Sequence, residues 1–193
     1  MITAIVMASG LSKRMGTNKL LLEYKGKIII DYTLKTLKDI NFMEVIVVSQ
    51  YDEVLDLARE YKFKAVKNNN AILGQSESIK LGIQNSKTCD GYMFFVGDQP
   101  FINKKDIESI IDTFKKDKDY IVIPRFNLKN GNPVVFPYNK KEDLMLLRND
   151  EKGKKIIKSS TKIKYVDVEE DMLFDIDTKE DYDKMMRYVK WKK

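Results

Sequence analysis

Short apolar runs rich in β-branched residues alternate along this chain with segments of helical periodicity. Residues 2–8, 43–50 and 91–98 carry the clearest apolar runs, which are typical of strands that are buried on both faces of a sheet. Residues 103–116 carry the clearest helical pattern, with three isoleucines and a phenylalanine on one face. Strands that alternate with helices predict a Rossmann-like α/β fold, in which a mostly parallel sheet lies between two helical layers.

The length of 193 residues predicts a single domain. No linker rich in proline, glycine or serine divides the chain. Residues 124–171 have weaker periodicity, and we expect this less regular segment to cover one side of the functional site. A last helix is predicted after residue 178, because Thr178 and Asp181 form a typical N-cap pair. Its apolar residues at helical spacing are Tyr182, Met185, Met186 and Val189.

The composition excludes several kinds of chemistry. The chain has no histidine and one cysteine, Cys89, so a Ser-His-Asp triad, histidine metal ligands and an internal disulfide are all excluded. The net charge is +6, but acids and bases are mixed along the whole chain, whereas nucleic-acid-binding proteins concentrate their bases in a patch. No apolar run is long enough to cross a membrane, and no signal-peptide pattern is present. We therefore expect a cytoplasmic protein without nucleic-acid or membrane partners.

The loop after the first predicted strand has the composition of an anion-binding site. Its sequence, ASGLSKRMGTNK (residues 8–19), contains two glycines, two serines and three cations. Doubly wound sheets bind ligands beyond the carboxyl ends of their strands, where the strand order reverses, and the first strand commonly borders that point. Gly10 and Gly16 allow close backbone approach, while Lys13, Arg14 and Lys19 add charge that suits phosphate. The loop matches neither GxxxxGK[ST] nor GxGxxG, so an ordinary connecting loop with exposed cations is the alternative.

A carboxylate follows the fourth predicted strand. Asp98 stands in the sequence FFVGDQP, where it can bind a hard cation such as Mg²⁺, although a tight turn explains the same residues. The pairing with the cationic loop favours the metal. Both segments follow strand ends, so one pocket can hold phosphates together with their metal ion.

Two further stretches fit a nucleotide site. The sequence GQSESI places Gln75, Ser76 and Ser78 at the start of a predicted helix. There they either contact the base or ribose of a nucleotide or, in the case of Ser76, cap the helix. Asp175 and Asp177 alternate in a predicted strand, so both face the same side. They are either a second source of metal ligands or exposed acids.

Taken together, these stretches resemble the MobA-like nucleotidyltransferases and, more narrowly, the molybdenum cofactor cytidylyltransferases. The family's first loop reads roughly LAAGxSxRMGxxKLLL, and here it is MASGLSKRMGTNKLLL. The metal motif GDQP is unchanged at residues 97–100. The motifs GxSxS, GHPV and DIDTPEDY appear as GQSES, GNPV and DIDTKEDY. The matches fall in order from residue 4 to residue 182, so they cover nearly the whole chain.

The resemblance implies the fold of nucleotide-diphospho-sugar transferases and the transfer of CMP from CTP to the terminal phosphate of a molybdopterin-type cofactor, which releases pyrophosphate. It implies Mg²⁺ as the cofactor, with a client molybdoenzyme as a further partner. The implied catalytic residues are Arg14, Lys19 and Asp98. The implied nucleotide-binding residues are Ala8, Ser9, Gly10, Ser12, Arg14, Gly16, Lys19, Gln75, Ser76 and Ser78. The implied metal ligands are Asp98, Asp175 and Asp177, and the implied acceptor-side residues are Gln99, Pro100, Asn132 and Lys155.

The chain departs from the family pattern in places. Ser9, Asn132 and Lys179 replace alanine, histidine and proline. The family's GDxGAR segment is degraded to NDEKGKK (residues 149–155), where Lys155 stands for the arginine, and we expect this segment to face the acceptor. The alternatives are transfer of another nucleotide, a sugar or polyol phosphate as the acceptor, and a non-catalytic chaperone that binds the cofactor for a molybdoenzyme.

Overall fold

The structure, a computed structural model, describes residues 1–188 and shows a mixed sheet with helices on both faces. Within this range the strands are β1 (Ile2–Met7), β2 (Glu23–Tyr24), β3 (Lys27–Ile28), β4 (Glu44–Ser49), β5 (Lys64–Lys67), β6 (Gly91–Val96), β7 (Ile121–Phe126), β8 (Lys129–Asn130), β9 (Val134–Pro137) and β10 (Ile163–Asp167). The helices are α1 (Ile29–Lys38), α2 (Asp52–Glu60), α3 (Gln75–Gln84), α4 (Lys104–Lys116), α5 (Lys141–Met145), α6 (Lys154–Ser159) and α7 (Lys179–Tyr188). Val189, expected on the last helix, lies outside the described residues. In residues 1–188 no helix combines the length and apolar character that a membrane span requires.

The order of the strands places a switch point at β1. The main sheet runs β10-β7-β9-β6-β1-β4-β5, and β8 pairs with β7 outside this path. β1 is parallel to both of its neighbours, β4 and β6, and the chain builds outward on one side of β1 before it crosses to the other. β9 is antiparallel to β6 and β7, so the sheet is mostly parallel, as predicted. A crevice beyond the carboxyl end of β1 is therefore the expected ligand site.

Two cores, one on each face of the sheet, confirm the three-layer architecture. Along β1, Ala4 and Val6 face the core that α1, α2 and α4 cover, while Ile5 faces the core that α3, α5 and α6 cover. All three side chains are fully buried. Because both faces are covered, most residues of β1, β4 and β6 are apolar, and this explains why the sequence pattern located them.

Residues 124–171 are more regular than the sequence predicts. They contain β8, β9, α5, α6 and β10, and β9 lies inside the main sheet while β10 forms one edge of it. β10 has the sequence IKYVD, and of its five residues only Val166 is buried. An edge strand of this kind lacks the continuous apolar run that marks an inner strand.

The cap pair before α7 forms as predicted. The side chain of Asp181 accepts hydrogen bonds from the Thr178 amide (2.9 Å) and from the Thr178 hydroxyl (2.7 Å). A small third core then joins the helix to the rest of the molecule, and its fully or nearly buried members are Tyr24, Ile29, Ile176 and Met185. This core fixes the segment before α7, which carries Asp175 and Asp177, beside the loop that follows β1.

Candidate functional site

The loop after β1 is folded back on itself around Ser12. The carbonyl oxygen of Ser12 accepts from the Met15 amide at 2.9 Å, and its hydroxyl accepts from the Lys19 amide at 3.2 Å. Ser12 has a φ of 48° and Gly16 a φ of 68°. The left-handed backbone at these two positions turns the loop, so Lys19 returns to the edge of the sheet from which the loop departs.

Lys19 joins two of the predicted carboxylates. Its Nζ lies 2.5 Å from Asp98 Oδ2 and 2.9 Å from Asp177 Oδ1, and its side chain is only 11% exposed. Burial lowers the pKa of Lys19, but the carboxylates of Asp98 and Asp177 outweigh burial and raise the pKa above its ordinary value. Lys19 is therefore a fixed positive charge at this edge of the sheet.

Arg14 adds a second cation to the same cluster. Its Nη2 lies 2.8 Å from Asp177 Oδ2. Burial would raise the pKa of Asp177, but the hydrogen bonds and charges of Lys19 and Arg14 lower it. Asp177 is thus ionised and shared between the two cations, and four residues predicted from three separate motifs, Arg14, Lys19, Asp98 and Asp177, meet at one point.

The segment with Asp175 and Asp177 is extended, but it is not the strand that the sequence predicts. Its connection to the sheet is a single hydrogen bond, from the Ile176 amide to the Asp98 carbonyl at 3.1 Å, which is too little pairing for a strand. The side chains of this segment still alternate in direction, as predicted. Ile176 is buried in the third core, and its two neighbours lie on the other side. Burial raises the pKa of Asp175, and the negative charges of Asp98 and Asp177 raise it further.

The carboxylates at this edge fit a divalent cation. Asp98 Oδ1 is buried and accepts no hydrogen bond within the described range, and the positive charge of Lys129 only partly offsets the burial and negative charges that raise the pKa of Asp175. A hard cation held by oxygen ligands would satisfy both. In the described part of the chain no three acidic, histidine or cysteine side chains are grouped closely enough to form a metal site by themselves. Asp98, Asp175 and Asp177 therefore do not form a complete ligand set, and a cation bound here would need water or phosphate oxygens as its remaining ligands.

A cavity of about 420 Å³ opens at the carboxyl ends of β1 and β6 and collects many of the predicted residues. The predicted residues that line it are Ser9, Gly10, Ser12, Arg14, Lys19, Gln75, Ser78, Asp98 and Asp177. Lys13 lines it as well. The cavity therefore combines a cationic loop, the start of α3 and two of the predicted carboxylates, Asp98 and Asp177.

The other predicted residues lie outside the wall of this cavity: Ala8, Gly16, Ser76, Asp175, Gln99, Pro100, Asn132 and Lys155. Ser76 is fully buried, and its amide donates to the Asn149 carbonyl at 3.2 Å, so its side chain cannot reach a nucleotide in this arrangement. Gln99 is also buried, and its carbonyl accepts from Thr33. Lys155 is exposed and pairs with Glu151 at 2.6 Å.

Residues 149–152 contribute to the wall of the cavity. From the sequence, we expected this segment to face the acceptor. Asp150 and Lys152 line the same cavity as the loop after β1. Gly74, just before α3, has a φ of +107°, and a Cβ there would lie 2.4 Å from the carbonyl carbon of Asn149. The glycine in GQSES thus permits close contact between two segments of the wall, a role that a motif alone does not disclose.

Comparison with known proteins agrees with this geometry. The sequence model of the MobA-like NTP transferase domain family matches residues 4–165 of this chain. The chain belongs to the MobA-like NTP transferase family. The described fold is accordingly the Rossmann-like α/β fold of nucleotide-diphospho-sugar transferases. A solved structure of a nucleotidyl transferase from Methanothermobacter thermautotroptrophicus has the same fold, with a TM-score of 0.81 and 21% identity over 97% of each chain.

Curated relatives of this MobA-like protein carry two kinds of name. A probable molybdenum cofactor guanylyltransferase of Natranaerobius thermophilus is 35% identical over 64% of this chain and 60% of its own length. Another, from Thermococcus sibiricus, is 29% identical over 94% of this chain and 95% of its own length. A 2-C-methyl-D-erythritol 4-phosphate cytidylyltransferase of Dictyoglomus thermophilum is 33% identical over 57% of this chain and 50% of its own length. The chain thus spans about half to three fifths of the length of two of these three relatives.

Proposed function

We propose that this MobA-like protein transfers a nucleotidyl group from a nucleoside triphosphate to the terminal phosphate of a molybdopterin-type cofactor. The observation that carries the proposal is the junction of Arg14, Lys19, Asp98 and Asp177 within one cavity at the carboxyl end of β1. A site for phosphate and its cation needs such a mixture of fixed positive and negative charge. The names of two relatives, which specify molybdenum cofactor, support the choice of acceptor.

The proposed reaction is a displacement at the α-phosphorus. An oxygen of the acceptor phosphate forms a bond to that phosphorus, and the bond from the phosphorus to the oxygen that bridges to the β-phosphate breaks. Pyrophosphate leaves with the electron pair. The attacking phosphate oxygen is already ionised near pH 7, so no general base is needed, which suits a chain without histidine.

The protein contributes positioning and electrostatic stabilisation. In the proposed complex the loop after β1 holds the triphosphate, and Arg14 and Lys19 offset the charge that gathers on its oxygens. Asp98, together with Asp175 or Asp177, would hold Mg²⁺, which supplies further charge neutralisation at phosphate oxygens. Because Arg14 and Lys19 together already offset the two negative charges of Asp98 and Asp177, we expect the cluster to persist when no nucleotide is bound.

Two donors are candidates for the nucleotide. By the resemblance, CTP is favoured, because the guanylyl branch tends to have a second glycine where this chain has Ser9. GTP is favoured by the names of two relatives, which are called guanylyltransferases. The Ser9 hydroxyl donates to the Val48 carbonyl at 3.2 Å, so the serine side chain is directed towards β4 while its residue lines the cavity.

A second candidate function is the transfer of CMP to a sugar or polyol phosphate. The observation that favours it is the 33% identity with a methylerythritol phosphate cytidylyltransferase. The same displacement at the α-phosphorus would serve both acceptors, so the chemistry of the cluster does not distinguish them.

Pyrophosphate release decides among these functions. We would measure it with CTP, GTP, ATP and UTP, each with Mg²⁺ and with either a molybdopterin-type cofactor or 2-C-methyl-D-erythritol 4-phosphate. We expect release with CTP or GTP and the molybdopterin-type acceptor, and none from the Asp98→Ala variant. Release only with methylerythritol phosphate would support the second candidate. Cofactor binding without release from any pair would contradict both and indicate a binding chaperone.

A further inference from the structure

A row of three side chains extends the pairing of β1 with β4 beyond the ends of both strands. The donors are Ser49, which is the last residue of β4, and the two residues that follow it. Their side chains donate hydrogen bonds to three successive carbonyl groups of the loop. These bonds run from Ser49 Oγ to Ala8 (2.9 Å), from Gln50 Nε2 to Ser9 (2.8 Å) and from the Tyr51 hydroxyl to Gly10 (2.9 Å). The orientation of the first peptide groups of the loop is thus set from outside the loop.

This orientation determines where the amide groups point. In a trans peptide the carbonyl and the following N–H point to opposite sides. Because the carbonyls of Ser9 and Gly10 point to Gln50 and Tyr51, the amides of Gly10 and Leu11 point away from those side chains. Ser9, Gly10 and Leu11 all line the cavity. Within residues 1–188, neither the Gly10 nor the Leu11 amide donates to a protein acceptor. Unpaired amides at a cavity with several cations are suited to bind an anion.

Tyr51 is held firmly enough to act as a support. Its carbonyl accepts the Leu55 amide at 3.2 Å in the first turn of α2, and its own amide donates to Ser49 Oγ at 3.1 Å. Its ring packs against the core that α1, α2 and α4 cover. The hydroxyl is therefore fixed by two backbone hydrogen bonds and by ring packing.

We propose that Gln50 and Tyr51 are positioning residues for polyphosphate binding. They hold the carbonyls of Ser9 and Gly10 so that the amides of Gly10 and Leu11 are presented to the phosphates. The inference rests on the proposed function in one respect, which is that the ligand of the loop is a nucleoside triphosphate. Neither residue belongs to the motifs that carry the family resemblance.

The test is the affinity for inorganic tripolyphosphate, CTP and GTP, measured by titration calorimetry with Mg²⁺ and without an acceptor. Tyr51→Phe and Gln50→Met each remove one donor and keep the approximate size of the side chain. We expect each to raise the Kd for all three ligands at least about fivefold, the effect of one lost hydrogen bond. In turnover assays the KM for the nucleotide should rise while kcat changes little, because the amides bind ground state and transition state alike.

Tyr61→Phe is the matched control. Its hydroxyl donates to Asp31 at 2.6 Å, away from the cavity, so the variant should lose stability without a change in Kd. A Tyr51→Phe protein that binds tripolyphosphate as tightly as the wild type, or one whose Kd changes only as much as that of Tyr61→Phe, overturns the inference. Tight polyphosphate binding without transfer to any acceptor would contradict the proposed function alone, and a wild-type protein that binds no polyphosphate would contradict both.

Discussion

At the scale of single residues, Lys19 is the centre of the charge cluster. It contacts both Asp98 and Asp177 and is the most buried of the cations in the loop after β1. We expect Lys19→Ala to reduce kcat about tenfold to a thousandfold, as the loss of one electrostatic stabiliser does elsewhere. Pyrophosphate release measures the change. Lys13→Ala, on the same loop and without an ion pair in the described structure, should cost much less. Equal losses in the two variants would mean that Lys19 contributes only general positive charge.

At the same scale, the start of α3 shows that a motif can locate a binding segment without indicating which of its side chains line the cavity. The sequence GQSES predicted Gln75, Ser76 and Ser78 together as nucleotide contacts. In the helix, residues three apart share a face, so Gln75 and Ser78 line the cavity although Ser78 is itself nearly buried, while fully buried Ser76 does not line it. The motif located the segment correctly, but only the helical rotation decides which of its side chains reach the cavity.

At the scale of elements, the contact between the start of α3 and residues 149–152 shapes the cavity. We expect Gly74→Ala to weaken nucleotide binding, because its Cβ would lie 2.4 Å from the backbone of Asn149 and would displace the wall that carries Asp150 and Lys152. Titration of CTP and GTP measures the loss. Gly26→Ala is the matched control, since Gly26 also has a positive φ (+75°) but has no heavy atom within 4 Å of its Cβ position. Both variants should lose stability, and only Gly74→Ala should change the Kd. If the two lower affinity equally, the close contact at Gly74 does not shape the cavity.

Asp31 connects α1 with the residue that follows α2. Its carboxylate accepts from Lys27 Nζ and from the Tyr61 hydroxyl, each at 2.6 Å. Burial would raise the pKa of Asp31, but these two hydrogen bonds lower it below its ordinary value. A carboxyl group whose pKa is lower in the folded state stabilises the fold above its unfolded pKa of about 4. That stabilisation is lost as the pH falls through the folded-state pKa.

Asp31→Asn should therefore lower the free energy of unfolding by about 1 kcal/mol at pH 7, the order of one ordinary intramolecular hydrogen bond. The difference from the wild type should shrink as the pH falls below about 4. Urea denaturation at pH 7, 5 and 3 measures it. Asp39→Asn, at an exposed acid just after α1, should change the free energy of unfolding at pH 7 by less than about 0.5 kcal/mol. A difference for Asp31→Asn that is the same at all three pH values would show that the effect is packing and not charge.

At the scale of the whole molecule, the sequence predicted the inner strands and missed the strands at one margin of the sheet. β1, β4 and β6 are mostly apolar because helices cover both of their faces, and this pattern is visible without a structure. β8 and β10 lie at the margin of the sheet, where exposed lysines and aspartates are tolerated, so no periodicity identified them. The cluster of Arg14, Lys19, Asp98 and Asp177 was predictable because Arg14, Lys19 and Asp98 follow recognisable strands and Asp177 precedes a recognisable helix. The wall at residues 149–152 was not, because its place depends on a long-range contact with Gly74.

We expect the packing of α7 in the third core to affect the charge cluster at the loop after β1. Met185 is fully buried in that core, whereas its neighbour Met186 is 44% exposed. We expect Met185→Ala to lower the free energy of unfolding by about 2–5 kcal/mol and Met186→Ala to change it by less than about 0.5 kcal/mol. Met185→Ala should also reduce turnover at temperatures where the protein stays folded. The physical reason is that α7 anchors Thr178 through Asp181, and a loosened α7 releases the adjacent Asp177 from Lys19 and Arg14. Urea denaturation and pyrophosphate release on both variants test this, and lost stability with unchanged turnover would show that Asp177 keeps its place without support from α7.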